Sequence, residues 1–285
     1  MKIGLIVEGG GMKSAYSAGI LDLFIDYGIE FDYCIGQSAG AGNLVSFVGK
    51  QRGRNLRFYT THITENGFFG ISSFLKNREL FGLHYIYETL SNSTGTDPID
   101  YKALIESPTE LKIIATEAET GLPHYFDKTE MKQDDYRILM ASCAIPAAND
   151  PIEIDGIEYF DGGVSDIIPI KKAMEDGCDK VVVILATSRE EETDLRLYQK
   201  KLYDIRCRKY PQIITALDER DVLIKNQRQL LTELEKSGRA FVFEPEPGLN
   251  STYEMDPKVN KNAYNQGLLA FHDNYDALKL FMNVL

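Results

Sequence analysis

The sequence predicts an α/β fold built on a mostly parallel sheet. Three observations carry that expectation. Residues 180–186 form an unbroken Val/Ile/Leu run, the pattern of a parallel strand buried on both faces. A second apolar run, Ile3-Gly4-Leu5-Ile6-Val7, enters a glycine cluster and then a helical pattern. Between these two runs, strand-like and helix-like segments alternate, as layered α/β proteins require.

The elements follow in order. Residues 3–8 read as a central strand. Residues 14–27 read as a helix with Ala15, Ala18, Gly19, Leu21, Leu23 and Phe24 facing inward. Residues 31–35 are a second strand and 39–49 a second helix, whose first turn (Ala39, Gly40, Ala41, Gly42) is small enough to pack tightly. Strands are expected at 111–116 and 124–127. A short helix at 136–143 stops at Ile145-Pro146, because proline disfavours helix in the residue before it. Residues 156–160 form a hairpin arm ending in Asp161-Gly162-Gly163. A helix at 170–175 ends at Gly177.

Beyond Thr187 the character changes. Residues 194–207 and 217–237 are charged and helical, and Gly238 sits where a helix-terminating glycine belongs. Residues 240–243 (Ala-Phe-Val-Phe) read as a late strand that can rejoin the main sheet, and 264–285 as a final helix. The expected division is 1–190 for the α/β domain and 191–285 for a mainly helical C-terminal extension.

Composition narrows the function. The 285-residue chain is 44% hydrophobic and 26% charged, with a formal net charge of -12. Nucleic acid needs a basic face, so it is not an expected partner. No apolar stretch reaches the roughly 20 residues of a membrane span. The N-terminus lacks the pattern of a signal peptide, so a cytoplasmic protein is expected, with transient membrane-surface contact left open. Cys34, Cys143, Cys178 and Cys207 are scattered without metal-ligand spacing, and neither metal nor cofactor is expected.

Two motifs carry chemistry. Gly36-Gln37-Ser38-Ala39-Gly40 follows a strand and opens a helix, the context of a nucleophile elbow that lifts a serine Oγ out of the sheet. Gly9-Gly10-Gly11-Met12-Lys13 offers backbone N–H groups at a helix start, suited to a developing oxyanion. The glycine run also resembles a dinucleotide fingerprint, with Glu30 or Asp32 near the ribose-binding distance, although Ser14 occupies the third glycine position. His62, His84, His124 and His272 sit in no convincing motif. Asp161 is different: its Asp-Gly-Gly turn after a strand is either a carboxylate held where backbone can approach a ligand or an ordinary Asp-Gly turn.

The three ordered motifs, Gly9 to Lys13, Gly36 to Gly40 and Asp161-Gly162-Gly163, together resemble those of the patatin-like phospholipases. The stretch Ala141-Ser142-Cys143-Ala144-Ile145-Pro146 with Pro151 extends the likeness, which runs from residue 3 to about 187. Cys143-Ala144 stands where relatives often carry serine, a departure expected to concern packing. The tail is similar to bacterial members with a helical C-terminal extension.

The resemblance implies a three-layer α/β/α fold with a Ser-Asp dyad and no histidine. Ser38 is then the nucleophile and Asp161 the base. Gly10 and Gly11, with Gly9 and Met12, supply the oxyanion hole. Lys13 has two open readings, a role at the site or a solvated side chain. Gly36, Gly40, Gly162 and Gly163 flank the reacting groups. The expected activity is a serine acyl-ester hydrolase acting on phospholipid or lysophospholipid. The aromatic stretch that includes Phe68, Phe69, Ile71, Phe74, Leu75 and Phe81 is either an acyl pocket or lid, with Phe69 and Phe81 lining the acyl channel, or ordinary core and loop anchoring. Two rivals stay open: an α/β-hydrolase triad of Ser38, Asp161 and His272, and a nucleotide-binding or regulatory protein using the glycine loop.

Overall fold

Alternating residues of the central strands bury opposite faces, so each strand needs a helical layer on both sides. In the computed structural model this requirement is met by a three-layer α/β/α arrangement; residues 1–70, 78–191 and 197–283 are described, residues 197–199 by backbone alone. The strands are β1 (Ile3–Val7), β2 (Tyr33–Gln37), β3 (Glu110–Glu117), β4 (Pro123–Asp127), β5 (Ile152–Ile154), β6 (Ile157–Asp161), β7 (Lys180–Ile184) and β8 (Ala240–Phe243). Among the described residues they form one sheet in the order β5-β6-β3-β2-β1-β7-β8, with β4 also on β3. Strands β3, β2, β1, β7 and β8 run parallel, while β4, β5 and β6 supply the antiparallel pairings.

One face of the sheet, with Leu5, Val7, Cys34, Ile113, Val182 and Ile184, packs on α1 (Ala15–Asp26), α2 (Ser38–Val48) and further helices. These are α3 (Arg54–Thr60), α4 (Tyr101–Glu106) and α5 (Arg137–Cys143). The other face, with Ile6, Ile35, Ile114, Val181 and Val183, packs on α6 (Ile170–Glu175) and, past α7 (Leu197–Arg206), on α8 (Pro211–Lys236).

The C-terminal region is woven into this frame. Strand β8 pairs in parallel with β7. The last helix, α9 (Pro257–Met282), lies along α1, and the two backbones meet at Gly19 and Gly267. A Cβ at Gly19 would overlap the Tyr264 carbonyl, and one at Gly267 would overlap the Tyr16 carbonyl. Only glycine permits so close a crossing.

Some boundaries differ from the sequence reading. The long helices α8 and α9 begin at Pro211 and Pro257, earlier than the expected 217 and 264. Proline is favoured in a first helical turn because its missing N–H has no helical partner to lose. For α9 the Asp256 side chain adds an N-cap, accepting from Lys258 N at 2.8 Å. Strand β2 lies two residues later than expected, since Asp32 turns aside to accept the Ile3 N–H at 2.9 Å. Residues 194–196 and 284–285 of the expected helices, and Ile71, Phe74 and Leu75, lie outside the described residues. No helix among the described residues is long and apolar enough to cross a membrane.

Candidate active site

The elbow has no connecting residue: Gln37 ends β2 and Ser38 opens α2. Ser38 takes φ 53°, the left-handed region that costs an L-residue energy and marks a sharp turn held by its surroundings. Its N–H donates to Ser142 Oγ at 2.9 Å, which ties the turn to α5. Gly36 and Gly40 lie against β1, and a Cβ at Gly40 would overlap the Val7 carbonyl oxygen. The tight strand-to-helix packing expected from the small residues is therefore obligatory here.

Asp161 ends β6, and β3 brings it to the elbow. Ile114 pairs with both Gln37 and Tyr125, and Ala115 with both His124 and Asp161. A strand has two edges, so β2 and β6 must share one edge of β3, end to end, with β4 on the other. The end of β6 thus arrives beside the end of β2. Gly162 fits in the gap, against the Ile114 carbonyl and the Gln37 side chain. The Asp161 N–H donates to Ala144 O at 2.9 Å, and Thr116 Oγ1 donates to Asp161 O at 2.8 Å. The side chain accepts the Gly163 N–H at 2.7 Å.

Ser38 and Asp161 line one cavity, and the Ser38 hydroxyl pulls against the rise of the Asp161 carboxyl. Ser38 is 7% exposed and Asp161 6%. Burial pushes the Asp161 carboxyl up to about 6, against the opposing pull of the Ser38 and Gly163 hydrogen bonds and the Arg220 charge. The result is a carboxylate near neutrality whose proton affinity is well above that of an exposed aspartate.

The glycine loop is set by Glu8. This buried carboxylate accepts the N–H groups of Ala186 (2.7 Å) and Thr187 (3.3 Å), clamping the ends of β1 and β7 together. Burial raises its proton affinity, and those same hydrogen bonds oppose the rise. Among the described residues, the N–H groups of Gly9, Gly10 and Gly11 donate to no protein acceptor. Met12 differs from expectation. Its N–H is taken by the Thr252 carbonyl at 3.1 Å, because the segment before α9 folds across the loop. The Lys13 ammonium is bound to Glu191 at 2.8 Å, with Thr187 Oγ1 at 3.5 Å, so it is neither solvated nor directed at Ser38.

Two cavities meet at Ser38. One is apolar and is walled by Met12, Phe58, Phe68, Phe81, Leu83 and Ile86, among others. The other, more polar than the first, contains Gly9, Gly10, Gly11, Asp161, Gly163 and Arg220. Phe81 is thus in a cavity wall. Phe69 stands behind it, with ring centroids 5.0 Å apart in an edge-on contact. Cys143 lines the apolar cavity with its Sγ 3.6 Å from Tyr87 OH, and burial holds the thiol up at about 12, so it stays protonated.

Sequence reading missed the contribution of the C-terminal region. Arg220, Thr252 and Tyr253 all line the polar cavity. Arg220 had a signal: it interrupts the buried stripe Ile213, Leu217, Ile224 of α8 at helical spacing. Thr252 and Tyr253 had none, since their placement depends on how the chain returns over the loop.

The rival residues are elsewhere. His272 is exposed on α9 and lies edge-on to Tyr27. His62 bonds Glu65 and Asp97, His84 bonds Glu79, and His124 packs on Phe126 and Tyr159. Asp32 is committed to Ile3 N–H and Glu30 to Lys50. Among the described residues no group of three or more His, Cys, Asp or Glu is arranged to hold a metal ion.

A family model described as patatin-like phospholipase matches residues 5–174, and one described as a domain of unknown function matches residues 210–283. The uncharacterized protein YjjU of Escherichia coli K12 is 32% identical over 185 residues, covering 64% of this chain. The match spans about half (51%) of that relative's length. Among solved structures, VipD from Legionella pneumophila aligns over 95% of this chain and 67% of its own, with a TM-score of 0.49 and 13% identity.

Proposed function

The chain belongs to the patatin-like phospholipase family, and on that premise we propose that it is a serine lipid acyl hydrolase acting through a Ser38-Asp161 dyad. The observation that carries this reading is Ser38, in a left-handed elbow, sharing a cavity with a carboxyl that burial pushes up to about 6. A base works best when its pKa lies close to the operating pH, and burial moves Asp161 toward that range.

In the reaction, Ser38 Oγ attacks the acyl carbonyl and its proton passes to Asp161. The carbonyl oxygen becomes an oxyanion and accepts N–H groups of Gly10 and Gly11, with Gly9 beside them. One such donor is worth about 3–4 kcal/mol of barrier in comparable sites. The C–O bond to the alcohol breaks and the alcohol takes the proton from Asp161. Water then attacks the acyl-serine, gives its proton to Asp161, and Ser38 leaves with that proton restored. The products are a fatty acid and the deacylated alcohol. The apolar cavity supports an acyl chain as the group transferred, with phospholipid or lysophospholipid as substrate.

The direct test is mass spectrometry after exposure to a fluorophosphonate probe. Ser38 should carry the adduct, and Ser38→Ala should lose both labelling and hydrolysis of a soluble short-chain ester. An unlabelled Ser38, or a Ser38→Ala protein with wild-type turnover, would refute the assignment.

A further inference from the structure

Arg220 sits at the edge of the reacting groups, on a helix outside the 5–174 family match. It occupies the inward stripe of α8 between Leu217 and Ile224, where burial would ordinarily select an apolar residue. Its Nε donates to the Gly163 carbonyl at 2.9 Å. That bond fixes the guanidinium over the Asp161-Gly162-Gly163 turn. Among the described residues its two terminal amino groups donate to no protein acceptor.

Nearby cations are spent on structure. Lys13 holds Glu191, Arg189 holds Glu235 and Glu244, and Arg228 donates to the carbonyls of Ser188, Arg189 and Glu191. Among the described lining residues of the polar cavity, Arg220 is the sole base and Asp161 the sole acid. A half-buried guanidinium with free donors is suited to a planar or tetrahedral oxyanion, which it binds through paired N–H groups.

The two cavities give the substrate a direction. An acyl chain in the apolar cavity leaves the alcohol portion of the ester on the polar side of Ser38, where Arg220 lies. We propose that Arg220 binds the phosphate of the substrate's alcohol portion, so that the site selects phosphate-bearing acylglycerols over neutral glycerides of equal chain length. This rests on the lipid acyl hydrolase reading. It gives the C-terminal region a defined part in substrate selection.

Binding to Ser38→Ala protein tests this without turnover. Dihexanoylphosphatidic acid, dihexanoylglycerol and glycerol 3-phosphate are titrated separately by calorimetry at one ionic strength. The phosphatidic acid should bind about 10–100-fold more tightly than the neutral lipid, the range of one or two charge-assisted hydrogen bonds. Adding Arg220→Gln should erase that preference, and Arg220→Lys should restore part of it. Arg220→Met, whose unbranched stem suits the apolar stripe, replaces the Gln variant if thermal unfolding shows that variant misfolded. A preference that survives in folded Arg220→Gln or Arg220→Met overturns the proposal. Equal binding of both lipids overturns it too, and leaves the lipid hydrolase reading intact. Binding of neither lipid overturns both. Glycerol 3-phosphate binding as tightly as the phospholipid assigns the site to a free phosphate ester and overturns the head-group role.

Discussion

Asp161 and Ser38 line one cavity although β6, which ends in Asp161, and β2, which leads into Ser38, do not pair with each other. Both strands pair with the same edge of β3, end to end, and the junction falls at Ile114 and Ala115. The meeting is therefore fixed by register on a third strand. A one-residue slip of either strand would turn its side chains to the opposite face and separate the pair.

The titration of Asp161 gives the pH dependence. The dyad reading requires its carboxylate form, so kcat/KM on a soluble ester should rise through about pH 6 as one proton leaves, then level off. A profile that is flat from pH 5 to 8, or that falls over this range, would contradict the role of Asp161 as base.

The same shift predicts a stability effect of opposite sense to the activity effect. The unfolded chain releases the Asp161 proton near 3.8, whereas the folded protein holds it to about 6. Stability from this group is therefore full below pH 4, falls as pH rises to about 6, and stays reduced above. At pH 7.5 the ionised carboxylate costs the fold about 3 kcal/mol. Asp161→Asn should abolish hydrolysis and raise Tm at pH 7.5, with the gain shrinking toward pH 4. A Tm equal to or below wild type at pH 7.5 would show that the burial cost is offset elsewhere.

Ser38 holds a left-handed conformation that glycine adopts freely. Ser38→Gly and Ser38→Ala should both be inactive. The glycine variant should be the more stable by about 1 kcal/mol, the relief of the left-handed cost less glycine's extra chain entropy. Thermal unfolding of the two proteins side by side decides it, and a more stable alanine variant would refute elbow strain.

Phe81 and Phe69 should separate on acyl chain length. Phe81 lines the apolar cavity and also stacks on Tyr253 at 5.7 Å, while Phe69 only backs it. Phe81→Ala should reduce turnover of long-chain lysophospholipid far more than that of an acetyl ester, because each buried CH₂ contributes about 0.8 kcal/mol that a short acyl group cannot use. Phe69→Ala should show a smaller effect of the same kind. Equal loss on both substrates would mean a core role instead.

His272→Ala should leave turnover unchanged, since the ring is exposed beside Tyr27 on α9 and lines neither cavity at Ser38. An inactive, folded His272→Ala protein would restore the triad as the working mechanism.

The sequence by itself determined what depends on a few neighbouring residues. The Ser38 elbow, the Asp-Gly-Gly turn, the glycine loop and the buried β7 strand each announce a backbone geometry through local residue choice, and each forms where the residues point. Helix starts were less legible, because Pro211 and Pro257 open helices as readily as they end chain segments. The tertiary structure decided everything that depends on residues distant in the chain. It removed Met12 from the free donors by laying Thr252 over the loop. It locked Lys13 onto Glu191 and brought Arg220 from α8 to the Gly163 carbonyl. It also raised the Asp161 carboxyl by burying it beside Ser38. Local conformation is set by short-range sterics that a sequence window contains. Burial, strand register and the electrostatic environment are sums over neighbours that only the folded chain assembles.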